Sequence, residues 1–315
     1  MKPACPGRLL LLLALLAGGA RAQQSQDALR IDTTIVSVPV TVLDRSGRFV
    51  AGLQRGDFRL FENGVEQQIE FFVPSEERVT IALLIDVSDS TESKFTTIKE
   101  AAVTFIDQLR PQDQVMLMTF DSNISLLSEP TTDHQRIRRI IQGILSGGGT
   151  RLYDAVEQAL PPLRNVRGRK AIVLFTDGVD TGSDATAARN ARAVEESEVF
   201  VYSIQYIAAE TAARIADAAP NPMAINTGAF RGDAGKAAAY LRQLAETSGG
   251  RFYLGDSPKN LAKSFASIAE ELRNQYSLGY YPNATARPGE RRKLRILCNR
   301  PQVVIRARKS YIYVK

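Results

Sequence analysis

Three oxygen-bearing side chains, Asp86, Ser88 and Ser90, alternate directly after an apolar run over residues 81–85. A carboxylate and two hydroxyls are hard donors that suit Mg²⁺ or a similar divalent cation. An apolar run of this length reads as a strand buried on both faces of a parallel sheet. The polar triplet then falls at the strand's carboxyl end, where open α/β sheets place ligands. Taken alone, Asp-x-Ser-x-Ser reads more simply as a strand-to-helix turn capped by Ser90. Two distant loops shift that balance. Thr150 sits in a Gly-rich connection, and Thr176-Asp177-Gly178 closes a third buried strand, so both loops can approach the same sheet edge.

The elements that must position these loops follow from periodicity. Residues 78–275 alternate strand-like and helix-like patterns, which is the signature of a parallel α/β sheet. Strands are expected over residues 114–120, 170–175, 199–204 and 251–254, with a short edge strand at 124–127. Phe95, Ile98, Ala102, Phe105, Ile106 and Leu109 recur at helical spacing, as do Ile137, Ile140, Ile141 and Ile144. Further helices are expected over 152–163, 185–196, 237–245 and 261–272, with an irregular, Ala-rich stretch over 208–233. Asp121 ends the second strand beside the same edge, as either a group that orients water there or a plain turn residue.

Both flanks read as β. Val36, Val38, Val40 and Val42 alternate, and Pro39 points to an edge strand. Residues 58–61 and 65–72 flank Glu62-Asn63-Gly64, a hairpin signal. Short alternating strands return over 276–281, 292–298 and 303–314. Neither flank has enough chain for a core of its own. The two are therefore expected to pair, with the α/β domain inserted between them. The boundaries read as 23–77 for the first β segment, 78–275 for the α/β domain and 276–315 for the second β segment.

With Asp86, Ser88, Ser90, Thr150 and Asp177 in this order and context, the chain resembles a von Willebrand factor A (VWFA) domain carrying a metal-ion-dependent adhesion site (MIDAS). The resemblance covers about residues 78–275 and implies a Rossmann-like, doubly wound, mostly parallel sheet. It implies Mg²⁺, or Mn²⁺ or Ca²⁺, contacted by Ser88, Ser90 and Thr150, with Asp86 and Asp177 acting directly or through water. It also implies a binding protein rather than an enzyme, whose cation bridges to a carboxylate on a partner protein. Asp121 and Asp89 are candidates for supporting that shell. The flanks, with Gly-Asp-Phe-Arg-Leu-Phe-Glu-Asn-Gly and Tyr-Ser-Leu-Gly-Tyr-Tyr-Pro, resemble exported bacterial VWFA-related proteins of the Acidobacteria type. In that setting they would form a small all-β, Ig-like sandwich. Two other readings stay open: a metal-assisted hydrolase using Asp121 or Asp89 as base, and a structural scaffold of the envelope.

Composition narrows the classes. The 315 residues are 44% hydrophobic and 23% charged, as in an ordinary folded protein. Residues 1–22 carry a basic start, a short apolar stretch and Ala20-Arg21-Ala22, the pattern of a cleaved signal peptide. The mature protein is then periplasmic, held at the cell envelope or secreted. Cleavage removes Lys2, Arg8 and Arg21 and no acidic residue, lowering the formal charge from +6 to +3, which gives no argument for nucleic acid. It also removes Cys5 and leaves Cys298 alone, on a strand face with Leu294 and Ile296. No later apolar run reaches about 18 residues, so no integral membrane segment is expected. Oligomeric state is not legible. The Gly147–Gly149 run lacks P-loop spacing, and His134, the sole histidine, has no nucleophile elbow to serve. Arg231-Gly232-Asp233 and the sequon Asn283-Ala284-Thr285 are short matches that carry little weight.

Overall fold

In chain order the first strands are β1 (Val36–Asp44), β2 (Phe58–Glu62), β3 (Val65–Gln67) and β4 (Phe71–Val73). Then come β5 (Val79–Asp86), α1 (Phe95–Asp107), β6 (Gln114–Phe120), β7 (Ile124–Thr131), α2 (His134–Gly143) and α3 (Leu152–Arg164). They are followed by β8 (Arg169–Thr176), α4 (Ala187–Glu196), β9 (Val199–Tyr206), α5 (Ala209–Ala218), α6 (Asp233–Ser248), β10 (Phe252–Gly255) and α7 (Pro258–Asn274). The chain closes with β11 (Tyr276–Tyr280), β12 (Arg291–Cys298), β13 (Val303–Ala307) and β14 (Ser310–Ile312). The structure, a computed structural model, describes residues 35–73, 78–166, 168–207, 209–218, 232–282 and 287–314. The signal pattern over 1–22, Arg231 and the 283–285 sequon lie outside the described residues, as does 219–231 within the irregular stretch.

The central sheet has the order β10-β9-β8-β5-β6-β7, parallel throughout except for β7 at one edge. This is a mixed α/β fold with a mostly parallel central sheet. Strand β5 lies between β8 and β6, and every one of its residues is buried, as an uninterrupted apolar run requires. Ile81, Leu83 and Ile85 pack toward α1 and α7, where Phe105 and Phe265 meet at 5.3 Å. Ala82 and Leu84 pack on the other face with Leu160 of α3 and Leu241 of α6. Two cores on opposite faces thus fix the strand order and hold the carboxyl-terminal edge of the sheet in register.

Strands from the two chain ends form two antiparallel sheets, ordered β13-β1-β11-β4 and β14-β12-β2-β3. They share one apolar core that includes Val38, Val40, Leu60, Leu278 and Ile296. The hairpin between β2 and β3 turns through Asn63 and Gly64, whose φ angles of 48° and 86° are the left-handed pair that such tight turns demand.

Several expectations are corrected. Pro39 does not mark an edge: β1 is an inner strand between β13 and β11. Strand β13 joins only from Val40 onward, so Pro39 lies where one flank of β1 is still open and its missing N–H breaks no ladder there. The stretch 65–72 is two strands, not one, because β3 and β4 belong to different sheets. The stretch 303–314 divides in the same way into β13 and β14. Edge strand β7 runs on to Thr131, past the expected residue 127. Cys298, at the end of β12, is half-buried and free.

Candidate metal centre

Asp86 ends β5 with no solvent exposure. Its Oδ1 accepts from the Ser88 main-chain N–H at 3.0 Å and the Ser88 hydroxyl at 2.6 Å. Its Oδ2 accepts from the hydroxyl of Thr176, the last residue of neighbouring β8, at 2.6 Å. Burial pushes the Asp86 carboxyl up from 3.8 to about 6; the hydrogen bonds from Ser88 and Thr176 pull it down, and the Asp177 charge raises it further. Ser88 is buried, and its Oγ lies 3.0 Å from Oγ of exposed Ser90. The turn is tied off by Thr91, whose hydroxyl donates to the Ser88 carbonyl at 2.8 Å.

The Gly-rich loop is laced to this turn. Gly147 N–H donates to the Val87 carbonyl at 2.8 Å, and Asp89 N–H to the Gly148 carbonyl at 3.0 Å. Gly148 N–H in turn donates to Asp89 Oδ1 at 3.0 Å, and Gly149 N–H to Ser122 Oγ at 2.7 Å. Gly148 has φ +90°, and a Cβ there would come within 2.9 Å of Ser122 Oγ, so the loop requires glycine at this point. Buried Thr150 follows, its N–H donating to Thr181 Oγ1 at 2.9 Å and its carbonyl accepting from Thr181 N–H at 2.9 Å.

The third loop leaves β8 at Thr176. Its hydroxyl bonds Asp86 and also accepts from Gly178 N–H at 2.8 Å, so the turn carrying Asp177 is coupled to Asp86. Asp177 is half-buried. Asp89 and Asp121 both serve the Gly-rich loop. Asp89 does so through its carboxylate, whereas Asp121 uses its carbonyl, which accepts from Arg151 N–H at 3.0 Å. The Asp121 carboxylate closes its own turn on Asn123 N–H at 2.6 Å.

The three loops therefore meet at the carboxyl-terminal edge of the sheet. Thr176, Thr181, Ser122 and Thr91 escape a sequence reading, because only strand register and loop contact show what their hydroxyls bond. The β8 residue beside a buried strand-end Asp was the available signal for Thr176.

The donor set is oxygen only, two carboxylates and three hydroxyls. Among the described residues no basic side chain pairs with Asp86 or Asp177. Lys94 reaches the Tyr206 carbonyl at 3.4 Å, and Arg151 is held by Asp154 at 2.7 Å and Asp184 at 2.5 Å. Two neighbouring carboxylates, one buried and neither neutralised, fit a hard divalent cation. No group of three or more His, Cys, Asp or Glu suited to a metal occurs among the described residues. Asp86 and Asp177 are two carboxylates and do not by themselves make such a group. His134 is elsewhere: it contacts the Asp113 carbonyl at 2.9 Å, at the amino end of β6.

Residues 81–179, which span all five candidate residues, match a family model described as von Willebrand factor type A domain. Among curated proteins, a UPF0353 protein of Nocardia farcinica is 24% identical over 64% of this chain and 65% of its own length. A UPF0353 protein of Mycolicibacterium paratuberculosis is 28% identical over 41% of this chain and 44% of its own. The chain thus spans less than two thirds of the curated relatives it matches. Among solved structures, a von Willebrand factor type A protein of Catenulispora acidiphila aligns over 91% of this chain and 76% of that one, at 11% identity and TM-score 0.49. The vWF domain of the type V pili tip protein Mfa5 of Porphyromonas gingivalis aligns over 61% and 94%, at 14% identity and TM-score 0.48. Between β5 and the loop after β8, then, the chain is similar to the von Willebrand factor type A domain.

Proposed function

We propose that this protein is an exported, non-enzymatic binding module that holds a divalent cation at Asp86, Ser88, Ser90, Thr150 and Asp177. The observation that carries the proposal is the buried Asp86 carboxylate, coupled through Thr176 to the turn of Asp177 and left without a basic partner among the described residues. Mg²⁺ is the ion that such a set of hard oxygens favours, with Mn²⁺ or Ca²⁺ as substitutes. A bound cation would supply concentrated positive charge at the rim of the sheet. With only two carboxylates to neutralise it, the ion stays electrophilic and takes a carboxylate from a partner protein. VWFA domains in bacteria typically serve protein interaction or adhesion, which is the use proposed here.

Support for binding over hydrolysis comes from the candidate bases. The Asp89 and Asp121 carboxylates are both occupied in accepting main-chain N–H groups, and the histidine lies at the other edge of the sheet. The pattern over residues 1–22 supports export to the periplasm, envelope or medium. Among the described residues no helix is long and apolar enough to cross a membrane. We also read the two antiparallel sheets as an Ig-like sandwich that carries the α/β domain as an insertion.

Isothermal titration of the full chain with Mg²⁺ or Mn²⁺ tests the metal. Heat should appear for the native protein and vanish for Ser88→Ala; no heat, or equal heat in both, sinks the proposal. Pull-downs with and without EDTA then test the bridge, since the partners should drop out when the cation is removed.

A further inference from the structure

Gln205, near the end of β9, lies beside Thr176 in the parallel register and has no solvent exposure. Its side-chain amide donates twice, to the Asp177 carbonyl at 2.8 Å and to the carbonyl of Ala234 in the first turn of α6 at 3.0 Å. Its Oε1 is buried with no hydrogen-bond partner. A buried amide oxygen without a partner opposes folding, so an apolar residue would suit this position unless the two N–H donors matter. Turning the amide over would aim Oε1 at two carbonyl oxygens, so the acceptors themselves select the observed orientation.

The same spot is closed sterically. Gly178 has φ +91°, and a Cβ there would meet Ala237 Cβ at 2.7 Å, Gln205 Nε2 at 3.1 Å and Leu241 Cδ1 at 3.1 Å. Asp177 therefore stands between Thr176, whose hydroxyl holds Asp86, and Gly178, against which α6 is pressed. Gln205 grips the carbonyl between them.

We infer that Gln205 is a positioning residue of the candidate metal centre, tying the Asp177 turn to the first turn of α6 so that Asp177 stays beside Asp86. Gln205 itself touches no ligand. The inference rests on the metal reading above, because placing Asp177 matters to affinity only where a cation binds. It also makes α6 part of the site, although α6 contributes no candidate ligand.

Mn²⁺ alone, added to the full chain and counted as free ion by electron paramagnetic resonance, gives the test. Gln205→Met keeps the length and removes both donors. Gln205→Glu keeps one donor, because burial against two carbonyl oxygens holds its carboxyl protonated. The Met variant should bind Mn²⁺ roughly ten- to a hundredfold more weakly, the range seen when a group supporting metal ligands is removed. The Glu variant should fall between Met and wild type. Melting temperatures in EDTA should stay close to wild type, whereas a merely structural residue would lower them and leave the affinity alone. A Met variant that binds as tightly as wild type overturns the inference, and so does a Glu variant no better than Met. Should the Met variant not fold, an unchanged affinity for Glu has the same force. Wild type that binds no Mn²⁺ is a distinct outcome, which overturns the metal reading itself and this inference with it.

Discussion

Replacing Asp86 with Asn should raise stability without a divalent cation and lose that advantage with one. The folded carboxyl titrates at about 6 against 3.8 unfolded, so ionised Asp86 opposes folding at neutral pH. A shift of roughly two pH units corresponds to about 3 kcal/mol. The sign follows from linkage. Below about pH 3 the group is protonated in both states and costs nothing. The cost grows as pH rises through the interval up to about 6 and is constant above it. Asn removes the charge and keeps the acceptor for Ser88, while its amide faces the Thr176 hydroxyl, which must turn its proton elsewhere. The lost charge outweighs that adjustment, leaving a net gain of about 1–3 kcal/mol, or roughly 3–10 °C in melting temperature for a domain of this size. Cation closes or reverses the gap. At a hundredfold excess over Kd, Mg²⁺ should stabilise wild type by about 2.7 kcal/mol and leave Asp86→Asn unmoved. Thermal melts at pH 7.5 in EDTA and in Mg²⁺, repeated in EDTA near pH 3 where the two proteins should converge, make the comparison. An Asn variant that melts below wild type in EDTA, or a wild type indifferent to Mg²⁺ and Mn²⁺, would refute the reasoning.

Because a proton and the cation compete for Asp86, Mn²⁺ affinity should fall by about tenfold per pH unit below about 6 and level off above pH 7; a titration series that stays flat from pH 5 to 8 would count against Asp86 as a member of the site. Gly148→Ala puts a Cβ 2.9 Å from Ser122 Oγ at φ +90°. Its strain should cost about 1–2 kcal/mol and displace Thr150, weakening Mn²⁺ binding more than the melting temperature suggests. Glu271→Ala should cost about 3 kcal/mol in guanidinium unfolding, because buried Glu271 pairs with Arg306 and accepts from Thr41 at 3.2 Å and Tyr202 at 3.1 Å. Its Mn²⁺ affinity should equal that of wild type, and a loss there would show coupling across the sheet that these contacts do not suggest.

The sequence made the central strand and its polar end legible for a physical reason. A strand buried on both faces is nearly all apolar, and the buried polar side chains at its carboxyl end, Asp86 and Ser88, stand out by contrast. The Gly-Gly-Gly-Thr and Thr-Asp-Gly loops were legible because their residue types suit tight turns. What escaped was whatever depends on lateral register. Thr176 and Gln205 look like ordinary strand ends until the register sets them side by side, one hydroxyl on Asp86 and one amide on the Asp177 carbonyl. Strand continuity was misread for a related reason. Alternation over 65–72 and 303–314 persists while the chain changes sheets, since each new sheet also wants one face apolar. Pro39 misled because the edge rule holds for each flank of a strand separately, and β1 gains its second neighbour only after the proline.

The pairing of the chain ends bears on the site through where it attaches. Arg169, the first residue of β8, donates to the carbonyls of Leu272 and Gln275 at 2.7 and 3.0 Å, fixing the end of α7 from which the chain enters β11. Glu198, just before β9, accepts from Ser37 N–H at 3.3 Å, and Arg308 donates to the Ser197 carbonyl at 2.8 Å. Arg291 and Ser310 both hold Glu195, near the end of α4. These contacts fall where β8 and β9 begin, whereas Asp86, Thr176 and Gln205 lie where the parallel strands end. The antiparallel sheets thus grip one edge of the central sheet and leave the opposite edge to the loops of the α/β layer. A partner that reaches for a cation there would meet the Gly-rich loop, the Ser90 turn and the Asp177 turn, none of which the antiparallel sheets need for their own packing.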